Sequence, residues 1–110
     1  MNFKELAENA GLAEEEFVDI VRVFVDATTS DLDRLKAAVE GGAVGEVIEA
    51  AHSIKGSAIN FGFDRLRDRA KEIEMNARRG ILDGAVDGAR LLEEELRLIV
   101  EKLDARASDG

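Results

Sequence analysis

No proline interrupts this chain of 110 residues, and this absence constrains its fold more than any other single feature. Proline breaks helices because it lacks a backbone N–H and its ring clashes with the preceding turn. Apolar residues recur along the chain at the 3.6-residue spacing of a helix, and no stretch alternates convincingly with the two-residue period of a strand. Since 45% of the residues are apolar, which is enough for one core, the sequence predicts an all-α protein.

Glycines divide the chain into five predicted helices. A glycine readily ends a helix because it adopts the left-handed conformation without strain. Gly62 and Gly80 stand where two helices should end, and Asp83 is a suitable N-cap for the last helix. Thr28 lies at a weak point of the longest predicted helix, where a break would divide that helix in two. The predicted helices span about residues 2–9, 13–40, 43–61, 64–79 and 84–106.

The predicted helices each carry one apolar stripe, and the links between them are short. Short links between long helices make neighbouring helices antiparallel. We therefore expect an antiparallel up-down four-helix bundle with a short N-terminal helix over one end. Positions predicted to face inward include Phe17, Ile20, Phe24, Thr28, Leu32 (or Asp31), Leu35 and Val39 in the second helix and Val86, Ala89, Leu92, Leu96, Ile99 and Leu103 in the fifth.

Composition and charge exclude several classes of function. The chain has no cysteine, which excludes disulfides and thiolate metal sites. A net charge of −9 argues against nucleic acid and anionic membranes as partners. The N-terminus lacks the basic and then apolar pattern of a signal peptide, and no apolar run could span a bilayer. The expected location is the cytoplasm.

His52 is the only histidine of the chain, and its surroundings are unusual for a helix. At about 100° per residue, it lies on the shoulder of the third helix, supported by the core and open to solvent. A lone histidine cannot form a two-histidine bundle metal site, and no nucleophile turn accompanies it. A neutral imidazole can, however, attack phosphorus without a separate base.

Two neighbours of His52 on the helix surface fit that chemistry. Lys55, three residues further on, would offset the charge that a phosphoryl group brings, although a surface lysine needs no function. Gly56, four residues further on, costs a helix about 1 kcal/mol relative to alanine. An approaching protein needs the space there, or two helices of the bundle pack closely at this point, or the helix simply tolerates the glycine.

The residues around His52 form a pattern that resembles the signature of the histidine phosphotransfer (HPt) family. The resemblance extends to the acidic start of the second helix, the double glycine before the third and Phe63-Asp64-x-Leu66 after it, and covers about residues 12–104. The chain is therefore expected to be one HPt domain over residues 1–110. The matching motif positions are His52, Ile54, Lys55, Gly56, Ser57, Ala58, Phe61 and Gly62.

The resemblance implies a role for each site residue. His52 would accept the phosphoryl group, and Lys55, Gly56 and Ser57 would stabilise that group or dock the partner. Glu74 on the fourth helix would lie beside the histidine. A carboxylate there could accept a hydrogen bond from the neutral ring but would repel a phosphoryl group, so its role stays open.

The resemblance also implies the partners. Receiver-domain aspartates would exchange the phosphoryl group with His52, and a hybrid histidine kinase could carry one such receiver. The chain has no nucleotide-binding loop and no ligand cluster for Mg²⁺, so it is expected to be a monomeric phosphocarrier rather than an enzyme. It would need no cofactor, with Mg²⁺ held by the receiver.

Two other functions stay open at this point. One is the phosphoacceptor domain of a chemotaxis-type histidine kinase, phosphorylated by an ATP-binding domain. A free-standing carrier is favoured over it because the chain begins with Met and ends in a polar tail. The other is an adaptor bundle without chemistry, although a degenerate family member would be expected to lose His52 or Lys55.

Overall fold

The computed structural model describes residues 2–109, with side chains described as far as Arg106. Over these residues the chain forms only α-helices, joined by short turns. The predicted all-α fold is confirmed. The helices are α1 (Phe3–Ala10), α2 (Glu14–Glu40), α3 (Val44–Phe61), α4 (Asp64–Arg78) and α5 (Ala85–Asp109).

Helices α2 to α5 form a bundle in which each long helix packs beside its neighbours in the chain, α5 closes the bundle against α2, and α1 covers α2. Contacts between neighbouring helices run in opposite directions along the chain, so these neighbours are antiparallel, as predicted. These contacts are Asp31–Ser53 and Arg34–Glu49 for α2 and α3, Arg65–Glu95 and Ile73–Gly88 for α4 and α5, and Lys36–Glu93 and Glu15–Arg106 for α2 and α5.

Most helix ends lie within one or two residues of the predicted positions. Helix α2 continues without a break through Thr28, and α5 reaches Asp109, three residues beyond its expected end. Gly62 ends α3 in the left-handed conformation, with φ of 75°. Asp83 is not the N-cap of α5, because that helix starts at Ala85 and its first backbone bond runs from the Gly88 N–H to the carbonyl of Gly84.

Two positions predicted to face the core lie at the surface instead. Ile20 is 42% exposed and Val86 is 58% exposed, whereas their neighbours Val21 and Ala85 are buried. At about 100° per residue, Ile20 and Val86 each lie roughly 80–100° from the centre of the buried stripe. The other positions predicted as inward in these two helices are buried, except Val39, which is half-buried against the core.

All five phenylalanines gather at the end of the bundle that α1 covers. Phe61 and Phe63, on either side of the α3–α4 turn, stack with an interplanar angle of 6°, and Phe24 contacts both. Phe3 and Phe17 extend the cluster toward α1. Aromatic packing of this kind fixes the C-terminal end of α3 and so sets the position of the helix that carries His52.

Within residues 2–109, none of the helices combines the length and the apolar character needed to cross a membrane.

Candidate functional site

His52 lies near the middle of α3, with its side chain at the surface. The side chain is 61% exposed, as the helical spacing predicts. Ala51 and Ile54, on the inner side of the same helix, are completely buried. The imidazole therefore stands on a rigid part of the bundle and stays accessible to another protein.

A buried carboxylate holds one edge of this ring. Glu74 projects from α4 toward α3 and is only 3% exposed. Its Oε2 lies 3.0 Å from Nδ1 of His52. Glu74 is one of the two buried polar side chains among the described residues, and a buried charge needs partners to offset its lost hydration.

Two cations supply this compensation, one to each carboxylate oxygen of Glu74. Lys55 Nζ lies 2.7 Å from Oε1 in an ion pair, without the angles of a hydrogen bond. Arg78 donates to Oε2 through Nη2 at 2.7 Å and through Nε at 3.1 Å. The three partners of Glu74 thus come from α3, which provides His52 and Lys55, and from the next turn of α4, which provides Arg78.

These partners keep Glu74 ionised. Burial alone would raise the pKa of Glu74, but the ammonium of Lys55 and the hydrogen bonds from Arg78 and His52 lower it to about 2. An ionised carboxylate only accepts hydrogen bonds, so Nδ1 of His52 must donate. In the neutral ring the lone pair is then on Nε2, for which no hydrogen-bond partner occurs among the described residues.

Gly56 leaves space on the same helix one turn beyond His52. Apart from its chain neighbours and the backbone of its own helix, no atom of the described residues lies within 4 Å of a Cβ added at Gly56. The alternative explanation from the sequence, a close contact between helices at this glycine, is therefore wrong. Gly45, seven residues before His52, is equally open.

Ser57 is not joined to this cluster. It is half-buried, and within the part of the chain that the structure describes no hydrogen bond links it to His52, Lys55 or Glu74. Five helical residues rotate a side chain by about 140° from the starting position, so Ser57 faces away from His52.

An exposed apolar surface lies along α3 and α2, and its Ile59 is two turns from His52 on the same face of α3. Ile59 of α3 is 55% exposed, and Ile20 and Val23 of α2 are 42% and 68% exposed. By helical spacing, Ile20 and Val23 share one stripe of α2 with the residues that contact α3. The charged and polar contacts that border this surface are Ser53–Asp31 at 2.7 Å and Arg34–Glu49 at 4.0 Å.

Arg78 is the site residue that the sequence analysis missed. A signal was present, because a glutamate followed four residues later by arginine is a favourable pair on a helix surface. The signal is weak because such pairs are common and seldom functional. Without the packing of α4 against α3, nothing linked the Glu74–Arg78 pair to His52.

Across the described residues, no group of three or more histidine, aspartate or glutamate side chains is arranged to hold a metal ion.

Comparison with known proteins identifies the family. The Hpt domain model matches residues 19–106, and the chain belongs to this family, whose members act in histidine phosphotransfer in phosphorelays. The structure is similar to the crystal structure of histidine-containing phosphotransfer protein B (HptB) from Pseudomonas aeruginosa PAO1. The two are 28% identical with a TM-score of 0.84, over 96% of this chain and 91% of the other. No curated protein matches the chain at a significant level.

Proposed function

We propose that this chain carries a phosphoryl group on Nε2 of His52 between aspartates of receiver domains. The observation that carries the proposal is the exposed imidazole whose Nδ1 contacts the buried, ionised Glu74. This contact orients the ring and leaves the lone pair on the accessible nitrogen. A positioned nucleophile with the right tautomer is what phosphoryl transfer requires of this partner.

In the transfer step, the Nε2 lone pair attacks the phosphorus of an aspartyl phosphate on the receiver. The N–P bond forms while the bond between phosphorus and the acyl oxygen breaks, and its electron pair returns to the receiver carboxylate. The Nδ1 proton stays in place beside Glu74, so no separate base is needed. In the reverse step a receiver carboxylate oxygen attacks phosphorus, and the N–P electron pair returns to Nε2.

We assign two roles to the residues near His52, which are to neutralise the charge of the phosphoryl group and to dock the receiver. Lys55 would neutralise phosphoryl oxygens, since it lies one turn from His52 and brings a flexible cation. Gly56 would leave room for the receiver because none of the described side chains fills the space above it. Ser57 belongs to the docking edge rather than to the phosphoryl group, since it faces away from His52.

The receiver would dock on the face of α3 that carries Gly45 and Gly56 and on the exposed apolar residues of α2 and α3. Ile20, Val23 and Ile59 offer a small apolar area, which suits a transient complex. The receiver would bring Mg²⁺ and its acidic pocket, and a hybrid histidine kinase could supply one of these receivers. On this proposal the chain is a single cytoplasmic, monomeric phosphotransfer domain with no ATP site of its own.

Exposure to a phosphorylated receiver tests the proposal. Intact-mass spectrometry should show the chain gaining one acid-labile phosphoryl group, and His52→Ala should gain none while keeping its helical circular dichroism. Acid-labile phosphate retained in His52→Ala would rule the site out. Incubation with ATP and a kinase catalytic domain, in place of the receiver, distinguishes a kinase phosphoacceptor domain, and failure with both donors favours the adaptor alternative.

A further inference from the structure

Glu74 presents a charge problem that rests on the proposed function. A phosphoryl group brings a charge of about −2 at pH 7. Glu74 already places a negative charge 3.0 Å from Nδ1 of the ring that would carry this group. Lys55 is the cation one turn from His52 on α3, but its Nζ is paired with Glu74 Oε1. If Lys55 turned to the phosphoryl group, Glu74 would lose one of its partners.

The partners of Glu74 contact different oxygens of its carboxylate, and this arrangement lets Lys55 move without leaving Glu74 uncompensated. Oε1 is paired with Lys55, whereas Oε2 receives His52 and both the Nε and Nη2 donors of Arg78. Lys55 can therefore leave Oε1 without disturbing any contact at Oε2. A buried carboxylate with no cation would be strongly destabilising, but Arg78 still compensates Glu74 when Lys55 moves.

We propose that Arg78 is a positioning residue for phosphoryl transfer, holding Glu74 in place when Lys55 moves from Glu74 to the phosphoryl group on His52. Glu74 then continues to orient the ring, and the two cations face two separate anions. Arg78 itself touches neither the phosphoryl group nor the receiver. Its effect on the reaction passes through Glu74.

Because Arg78 is exposed, its positioning role can be tested separately from a purely structural one. Its side chain is 57% exposed, and it reaches Glu74 from the surface of the same helix. Removing an exposed side chain leaves no cavity in the core, and Lys55 still pairs with Glu74 while no phosphoryl group is present. Removal of Arg78 should therefore leave the fold intact while changing the chemistry of the site.

The test compares Arg78→Gln with Arg79→Gln, measuring phosphoryl transfer from a phosphorylated receiver by rapid quench. Arg79 is the next residue, is exposed and does not contact Glu74, so its replacement changes the net charge equally. We expect Arg78→Gln to lower the maximal transfer rate about tenfold, since a hydrogen bond to a charged group is worth about 1.5 kcal/mol or more. The receiver concentration at half-maximal rate should stay unchanged, and Arg79→Gln should resemble the unmodified chain.

Two further variants separate action through Glu74 from other effects of Arg78. Arg78→Lys should restore part of the rate, and in a Glu74→Gln background Arg78→Gln should have no further effect. Equal rates for Arg78→Gln and Arg79→Gln, or an undiminished loss in the Glu74→Gln background, would overturn the proposal for Arg78. If the unmodified chain accepts no phosphoryl group, the proposed function itself fails, and this role fails with it.

Discussion

Helix α4 meets two neighbours, and the two contacts are built in opposite ways. Toward α5, Ile73 packs against Gly88 so closely that an added Cβ would lie 2.9 Å from Ile73 Cγ1. Toward α3, the next residue, Glu74, places its buried carboxylate against the imidazole of His52 and the ammonium of Lys55. One contact is close apolar packing, and the other is a set of charges beside an open surface.

The two glycines of the neighbouring helices show what this difference means. Gly56 and Gly88 both lie inside helices, where glycine costs about 1 kcal/mol relative to alanine. At Gly88 the close approach of Ile73 offsets this cost. At Gly56 no described residue of the fold makes use of the missing side chain. The described fold therefore gives no packing reason for Gly56, which is what the docking role proposed for this surface expects.

The largest effect on the charged contact is expected from Glu74→Gln. The pKa of Glu74 is lowered from 4.5 to about 2 in the fold, which corresponds to about 3 kcal/mol of stability at neutral pH. Because the folded pKa is the lower one, this contribution is complete above about pH 4.5 and is lost as the pH falls toward 2. Urea unfolding should thus show Glu74→Gln less stable at pH 7.

The pH dependence of that difference is the decisive part of the measurement. The difference in free energy of unfolding between the unmodified chain and Glu74→Gln should shrink steadily below pH 4.5. The groups that face Glu74 are His52 and Lys55 from α3 and Arg78 from its own helix. A difference that stays constant from pH 7 to pH 2 would mean that the charge of Glu74 contributes nothing to the α3–α4 contact.

The second effect concerns the open surface, where bulk at Gly56 should impair function and leave the fold intact. Gly56→Gln should slow transfer from a phosphorylated receiver about 100-fold, the size expected when a reacting group is displaced by about 1 Å. Its free energy of unfolding should change by no more than about 1 kcal/mol. Ala37→Gln, at an exposed alanine of α2, is the matched control and should transfer normally. Unchanged transfer by Gly56→Gln would count against a docking role for this surface.

The sequence predicts the bundle well because helical periodicity and turn glycines are local signals. The antiparallel order follows from the short links, the end of α3 from Gly62, and the exposure of His52 from spacing along one helix. Register errors arose at Ile20 and Val86, where two adjacent apolar residues compete and the packing of other helices decides between them.

The contacts of the site could be predicted only in part. The family resemblance placed Glu74 beside His52, but the sequence gave no information on its burial and only a weak signal for Arg78. The different surroundings of Gly56 and Gly88 could not be predicted at all, because they depend on which side chain of another helix lies opposite. Such contacts are set by the packing between helices, which one helix's periodicity does not encode.

A smaller effect is expected in the packed contact, from Gly88→Ala. Better helix propensity favours alanine by about 1 kcal/mol, but overpacking a core costs about 1–3 kcal/mol, so the variant should lose about 1 kcal/mol of stability. The loss should diminish in an Ile73→Val background, which removes the Cδ1 atom 3.0 Å from the added Cβ. Thermal unfolding of the unmodified chain and the three variants of this cycle measures the coupling, and strictly additive effects would exclude a clash between residues 73 and 88.

The smallest effect gives the sharpest contrast, because Gly56→Ala should shift stability in the opposite direction from Gly88→Ala. The added methyl group meets no side chain of the described part of the chain within 4 Å, so only the gain in helix propensity remains, up to about 1 kcal/mol. Part of this gain comes from the unfolded chain, which loses conformational freedom when glycine is replaced. Urea unfolding should show Gly56→Ala above the unmodified chain and Gly88→Ala below it. A loss of stability in Gly56→Ala would mean that the fold itself needs this glycine, and the argument that its reason lies in a partner would then fail.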